Sequence, residues 1–317
     1  MNSVLLDPAL DDFERRRLLF AGQLIVYSPT PSSLALCEFA RKLSEEAFAP
    51  HDPRQAQHHR SVEDYAAVLA TLKPRFIHHP TCKELIRGIF RDLGCDPEKT
   101  YFDVPRLRTS TSDNYLTSGL AYAFHPHRDT WYSAPQCQIN WWLPVYDITA
   151  DNCLAIHPRY WNRPLRNGSR EYDYYRWNKE SRGAAAQQIK SDTRKQPKPE
   201  EPVELDPQVR LVGRVGSIIL FSAAHLHSSV PNTSGYTRFS IDFRTVHRDD
   251  VEARRGAPNL DAECTGTTLR DFLRGTDGAR LPEDIVAPYD TSPPAPDAVL
   301  VYQPNGSGAS AEASRLA

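Results

Sequence analysis

From Thr100 to Val246 the chain breaks into short β-rich runs separated by turn residues, and no other feature limits its fold as strongly. Candidate strands are Tyr101–Val104, Gly119–Phe124, Gln136–Ile148, Cys153–Ile156, Ser217–Phe221 and Thr237–Val246. Side chains of a strand alternate between its two faces. Gln138, Asn140 and Trp142 therefore share one face, and Ile139, Trp141 and Leu143 the other. Likewise Arg238, Ser240 and Asp242 alternate against Phe239, Ile241 and Phe243. Such strands fold as a sandwich or barrel with a wet interior and an outer face for helices, not as a parallel α/β sheet. Neither G-x-G-x-x-G nor G-x-x-x-x-G-K-[ST] occurs, so no phosphate-cradling loop is visible.

The N-terminal third is helical after a short strand in Ala21–Ser28. Thr30 to Ser33 can cap a helix whose apolar stripe is Leu36, Phe39, Ala40, Leu43 and Ala47. Ser61-x-x-Asp64 opens a second, with Tyr65, Val68 and Leu69 on one face. A third spans Cys82 to Leu93 and stops at Gly94. These spacings predict one catalytic domain over 1–292: helical support in 1–99, a β core in 100–250, and a C-terminal segment in 251–292. The stretch 162–204 interrupts the core. It is rich in Arg and Lys and carries Tyr172, Tyr174, Tyr175 and Trp177, as a lid over a site or a surface excursion would. The Pro-, Gly- and Ser-rich stretch 293–317 reads as a flexible tail.

With 317 residues, 40% of them hydrophobic and 25% charged, the chain can bury a sizeable core. A net charge of -2 gives no reason to expect nucleic acid or a membrane as partner. No apolar run approaches the ~18 residues that span a bilayer. The N-terminus lacks an apolar secretory core, and the six cysteines show no C-x-x-C pairing and no disulfide spacing. A cytoplasmic protein with reduced thiols is the expectation.

Chemistry concentrates in Phe124-His125-Pro126-His127-Arg128-Asp129-Thr130-Trp131. In extended chain His127 and Asp129 point the same way. A second histidine follows at His227, in His225-Leu226-His227-Ser228-Ser229-Val230-Pro231-Asn232, and Arg238 stands eleven residues on. Two imidazoles and one carboxylate suit iron(II), leaving three positions open for a bidentate 2-oxo acid and for dioxygen. A guanidinium facing the interior can take a carboxylate through two parallel hydrogen bonds.

This order of His-x-Asp, distant His and following Arg resembles the iron(II)/2-oxoglutarate-dependent oxygenases. Within them it is most similar to the phytanoyl-CoA dioxygenase-like family, over roughly Gly119 to Val246. Asp151-Asn152-Cys153-Leu154-Ala155-Ile156-His157-Pro158 resembles that family's E-N-G-x-L strand, with Cys153 where glycine is common. The resemblance implies a double-stranded β-helix (jelly-roll, cupin-like) core, mainly β with flanking helices. It also implies iron bound by His127, Asp129 and His227, with 2-oxoglutarate held by Arg238, Ser229 and Trp142, and Asn140 beside them on the interior face. The implied activity is hydroxylation of a small organic molecule with consumption of O2 and release of succinate and CO2.

Competing residues remain at this stage. His225 could replace His227, and Arg244 could replace Arg238. His125 could serve the site or the surface; Thr130 and Trp131 could line the pocket or pack; Arg128 points away from the metal. Two other classes stay open: a jelly-roll protein that binds metal or ligand without turnover, and a metal-assisted hydrolase.

Overall fold

The computed structural model describes residues 3–291, so the tail expected at 293–317 lies outside the described residues. Helices α1 (Asp12–Phe20), α2 (Pro31–Phe48), α3 (Val62–Ile77) and α4 (Pro80–Asp92) come first. Their starts follow local chemistry. Thr30 and Ser33 cap α2 reciprocally, each side chain accepting from the other's backbone N–H, and Ser61 accepts from the Asp64 N–H at the start of α3.

The strands are β1 (Val4–Leu6), β2 (Leu24–Tyr27), β3 (Thr100–Phe102), β4 (Arg106–Ser110), β5 (Ile139–Pro144) and β6 (Leu154–Ile156). They continue with β7 (Val209–Leu211), β8 (Ile218–Ser222), β9 (His227–Ser229), β10 (Arg238–His247) and β11 (Leu273–Arg274). A large sheet runs β1-β2-β8-β5-β10-β3-β11, with β4 also paired to β10; a small sheet runs β7-β6-β9. β10 lies antiparallel to β4 and β5, with Ile241 opposite Leu107 and Leu143.

Alternation then sorts the side chains. Trp141 and Phe243 point to the helical side, where their rings stack at 5.3 Å and meet Phe90 of α4. Trp142, Ile219 and Phe221 point the other way and pack with Leu154, Ile156 and Leu211 of the small sheet. Two facing sheets braced by helices on one side form the jelly roll that the family resemblance implied, within the sandwich-or-barrel class that the alternation pointed to.

One expected strand is absent. Gly119–Phe124 is turn and coil, because side chains capture its carbonyls. Thr109 Oγ1 and Lys73 Nζ donate to the Leu120 carbonyl, and Thr111 Oγ1 to that of Ala121. Gly119 adopts φ +72°, and a Cβ there would sit 1.9 Å from the carbonyl oxygen of Gln188 in the 162–204 insertion, so the insertion seats directly on this loop. Of the strands not expected, β4 and β9 complete the walls around the site.

Candidate metal centre and its cavity

An antiparallel bridge joins the two histidines. The His127 N–H donates to the His227 carbonyl at 3.0 Å and the His227 N–H to the His127 carbonyl at 2.9 Å. Each ring donates Nδ1–H to the carbonyl two residues back, His127 to His125 at 2.8 Å and His227 to His225 at 3.0 Å. A carbonyl can only accept, so each ring keeps its proton on Nδ1 and presents the Nε2 lone pair inward. The ring centroids lie 4.2 Å apart.

Asp129 follows an extended Arg128 and opens the 3-10 turn Asp129–Tyr132, its N–H donating to the Ala223 carbonyl at 3.0 Å. Its Oδ1 stands 3.3 Å from His127 Nε2 and 3.7 Å from His227 Nε2. The ligand atoms of these three buried residues lie within 4.8 Å of one another. Three facial ligands at about 2.1 Å from a metal would be about 3 Å apart, so the set fits a divalent ion with little movement.

The electrostatics match. Burial, then the neighbouring His127, push His227 down to about 3, which keeps it neutral as metal binding requires. Burial opposes the Asp129 charge, but its charged neighbour Arg244 outweighs it and holds the carboxyl well below its usual range. Asp129 Oδ2 accepts from Gln138 Nε2 at 3.2 Å and lies 3.5 Å from Arg244 Nε.

These groups face a cavity of ≈ 930 Å³. Arg238 lines it, 6% exposed, with its guanidinium 5.6 Å over the Trp142 ring. Its contacts are long, 3.4 Å to the Asn152 carbonyl and 3.5 Å to Ser229 Oγ, and its Nε has no hydrogen-bond partner. Burial pushes Arg238 down to about 10, with Arg108 adding to it. A buried, under-satisfied fork is what an arriving carboxylate needs. Asn140 lines the same cavity and accepts from Gln138 Nε2 at 2.9 Å.

The alternatives separate cleanly. His225 donates Nε2–H to the Gly22 carbonyl at 3.2 Å and packs against Trp161, away from Asp129. Arg244 is engaged by three carboxylates: Asp129 at 3.5 Å, Asp103 at 3.3 Å and Asp242 at 3.7 Å. Arg128 points away, as its phase required, and Trp131 packs with Nε1–H donated to Asp261 at 2.8 Å. Thr130 is buried and does not line the cavity. His125 donates to the Pro197 carbonyl at 3.0 Å, pinning the 162–204 insertion beside the site. That insertion, containing α5 (Tyr174–Glu180), brings Tyr172, Tyr174, Trp177, Arg182 and Arg194 to the cavity wall.

Sequence reasoning missed Lys73 and Arg108 as cavity residues. The signal for Lys73 was its place on the buried face of α3, four residues after Leu69.

His225 yields a test of this electrostatic account. Burial pushes it down to about 4, whereas an unfolded histidine titrates near ~6.5. Between those values the unfolded chain binds a proton that the folded chain refuses, so stability falls as pH drops through that window. His225→Gln keeps a donor for Gly22 and is expected to remove about 1.4 kcal/mol per pH unit from the slope below pH ~6.5. Urea unfolding with chelator at pH 7, 6 and 5 measures it; an unchanged slope contradicts the assignment.

The jelly roll with two histidines and an aspartate beside a buried cavity defines the class of cupin-like, metal-dependent oxygenases. The chain belongs to the phytanoyl-CoA dioxygenase family, whose model matches residues 27–240. It is accordingly a non-heme oxygenase dependent on iron(II) and 2-oxoglutarate. No curated protein sequence matches it. Solved structures similar to it include EvdO2 from Micromonospora carbonacea var. aurantiaca complexed with 2-oxoglutarate, at 14% identity and TM-score 0.43 over 76% of this chain and 92% of that one. The non-heme monooxygenase ThoJ is similar at 14% identity and TM-score 0.36 over 69% and 71% of the two chains. The alpha ketoglutarate dependent epimerase SnoN from nogalamycin biosynthesis follows at 13% and 0.35 over 74% and 84%. No helix among the described residues is long and apolar enough to cross a membrane, and all six cysteines are free.

Proposed function

We propose that the enzyme hydroxylates an unactivated C–H bond of a small organic molecule, with His127, Asp129 and His227 holding iron(II) and Arg238 the distal carboxylate of 2-oxoglutarate. The carrying observation is the convergence of three ligand atoms within 4.8 Å beside the ≈ 930 Å³ cavity. When bound, iron(II) with 2-oxoglutarate supplies the activation of dioxygen, and 2-oxoglutarate leaves as succinate and CO2.

The chain's own residues do the rest. His125 and His225 carbonyls lock the imidazole tautomers. Gln138 and Arg244 hold the Asp129 carboxylate, and the Trp142 ring and Ser229 orient the Arg238 fork. The insertion at 162–204 acts as a lid, its aromatic side chains excluding water from the reacting centre. Because Asp129 fills the third ligand position, no halide site is left on that face, and chlorination in chloride buffer is not expected.

Anaerobic addition of iron(II) and 2-oxoglutarate should produce a visible charge-transfer band, and aerobic turnover should release succinate. A catalytically silent metal-binding jelly roll would release none with any substrate. Arg238→Met should weaken 2-oxoglutarate by about 10–100-fold, since a charged hydrogen-bond pair contributes roughly 1.5–3 kcal/mol. Titration of the same band reads this; an unchanged midpoint removes Arg238 from the co-substrate site.

A further inference from the structure

Among the described residues, eight lysine and arginine side chains line the cavity, against four carboxylates. Arg244 is held by its three carboxylates, Arg194 by Asp192 at 2.7 Å and Arg106 by Asp103 at 2.7 Å. The wall made by α3 and β4 is different. Lys73 of α3 and Arg108 of β4 lie beside Arg238, and the carboxylate facing Lys73 is Asp242. Asp242 is already engaged by Arg108 at 3.0 Å and lies 3.7 Å from Arg244. The Lys73 ammonium donates instead to the neutral carbonyl of Leu120.

The crowding is felt at Lys73. Burial, and then Arg108, push Lys73 down to about 7. Buried charge without an opposite partner is costly, so a cation cluster kept in a cavity is poised for an anionic ligand. Cofactor loading does not remove the excess, because a dication and a dianion enter together. With Arg238 taken by 2-oxoglutarate, Lys73 and Arg108 still share one carboxylate.

The surroundings limit the rest of the ligand. Leu69, Ile77, Val104, Leu107, Leu120 and Phe272 line the same cavity. Its ≈ 930 Å³ lies near the top of the roughly 300–1,000 Å³ range of small-molecule pockets, so a second molecule fits beside 2-oxoglutarate.

We propose that the substrate is an amphipathic organic anion whose carboxylate or phosphate is bound by Lys73 and Arg108, apart from the place Arg238 offers to 2-oxoglutarate. This rests on the cavity being the active site of the proposed oxygenase.

The test is calorimetric titration of the full chain, metal-free and then anaerobically loaded with iron(II) and 2-oxoglutarate. The probes are octanoate, octyl phosphate and the neutral octanol. At least one anion should bind about tenfold or more tighter than octanol, as one charged pair would give, and the tighter anion identifies the head group. Lys73→Met should erase that preference and Lys73→Arg should keep it, while the 2-oxoglutarate midpoint moves less than about twofold. The Met variant loses the Leu120 hydrogen bond, whose carbonyl Thr109 Oγ1 still reaches at 3.0 Å, and relieves repulsion with Arg108, so its Tm should change little, which guards against misfolding as the cause. Equal binding of anions and octanol, or no binding of either anion, overturns the proposal. So does a parallel loss of 2-oxoglutarate affinity in Lys73→Met, which would assign the lysine to the co-substrate. A missing charge-transfer band would instead sink the oxygenase reading, and the anion preference of the metal-free protein would remain measurable.

Discussion

Asp129→Ala is expected to abolish the charge-transfer band and to lower succinate formation by more than ~100-fold, beyond the roughly 10–100-fold that loss of an outer partner costs a metal site. Asp129 is the one carboxylate in the His127, Asp129, His227 cluster, and the only acid there to offset a dication. The variant should still fold, because Arg244 keeps Asp103 at 3.3 Å and Asp242 at 3.7 Å. Gln138→Leu is the graded comparison. It removes the amide that donates to Asp129 Oδ2 and to Asn140, leaves all three ligand atoms in place, and should cost only within that outer-partner range. Succinate release by Asp129→Ala at the unaltered rate would end the case for a metal held at these residues.

Arg128→Met should produce the largest loss of stability. Arg128 sits between the two ligand residues, 2% exposed, and points into the body of the protein. Its guanidinium donates to the carbonyls of Ala224, Tyr160 (2.6 Å) and Arg163 (2.9 Å) and pairs with Asp261 at 3.1 Å. Removing it strands a buried carboxylate and three carbonyls, at a cost of about 3–5 kcal/mol. That corresponds to a Tm lower by on the order of 10 °C for a chain of this size. Adding Asp261→Asn should recover part of the loss, since the orphaned charge is then gone while an acceptor remains for Trp131 Nε1–H. Thermal unfolding of the single and double variants decides it; a drop below about 1 kcal/mol would mean that Arg128 does not anchor the loop.

Much of this molecule is readable from local pattern. The helices announce themselves through Thr30, Ser61 and their apolar stripes, β5 and β10 through alternation, and β8 through a continuous apolar run after a turn. The same alternation placed Arg238 and Trp142 on the cavity side and Trp141 and Phe243 against the helices. β4 was hidden because its sequence, Arg-Leu-Arg-Thr-Ser, reads as a polar stretch with its charges in solvent. In fact Arg106 and Arg108 line the cavity, at register positions opposite Asp242 and Ser240 of β10. β9 was hidden by its length of three residues, its place being set by pairing with β6. Gly119–Phe124 misled in the opposite sense: its apolar, β-prone residues form no ladder because Thr109, Thr111 and Lys73 take the carbonyls first.

The jelly roll was implied by the family resemblance, whereas residue type and alternation were enough to single out His127, Asp129, His227 and Arg238 as candidates, because each of those readings depends on contacts within one strand or turn. The distance between His127 and His227 does not. It is set by reciprocal backbone hydrogen bonds across a hundred residues of intervening chain, which form only after the sheets have buried their apolar faces. The cation wall of Lys73 and Arg108 belongs to the same category. A helix and a strand that share no local pattern are brought together by the core, and their charges acquire meaning only from the enclosure that results.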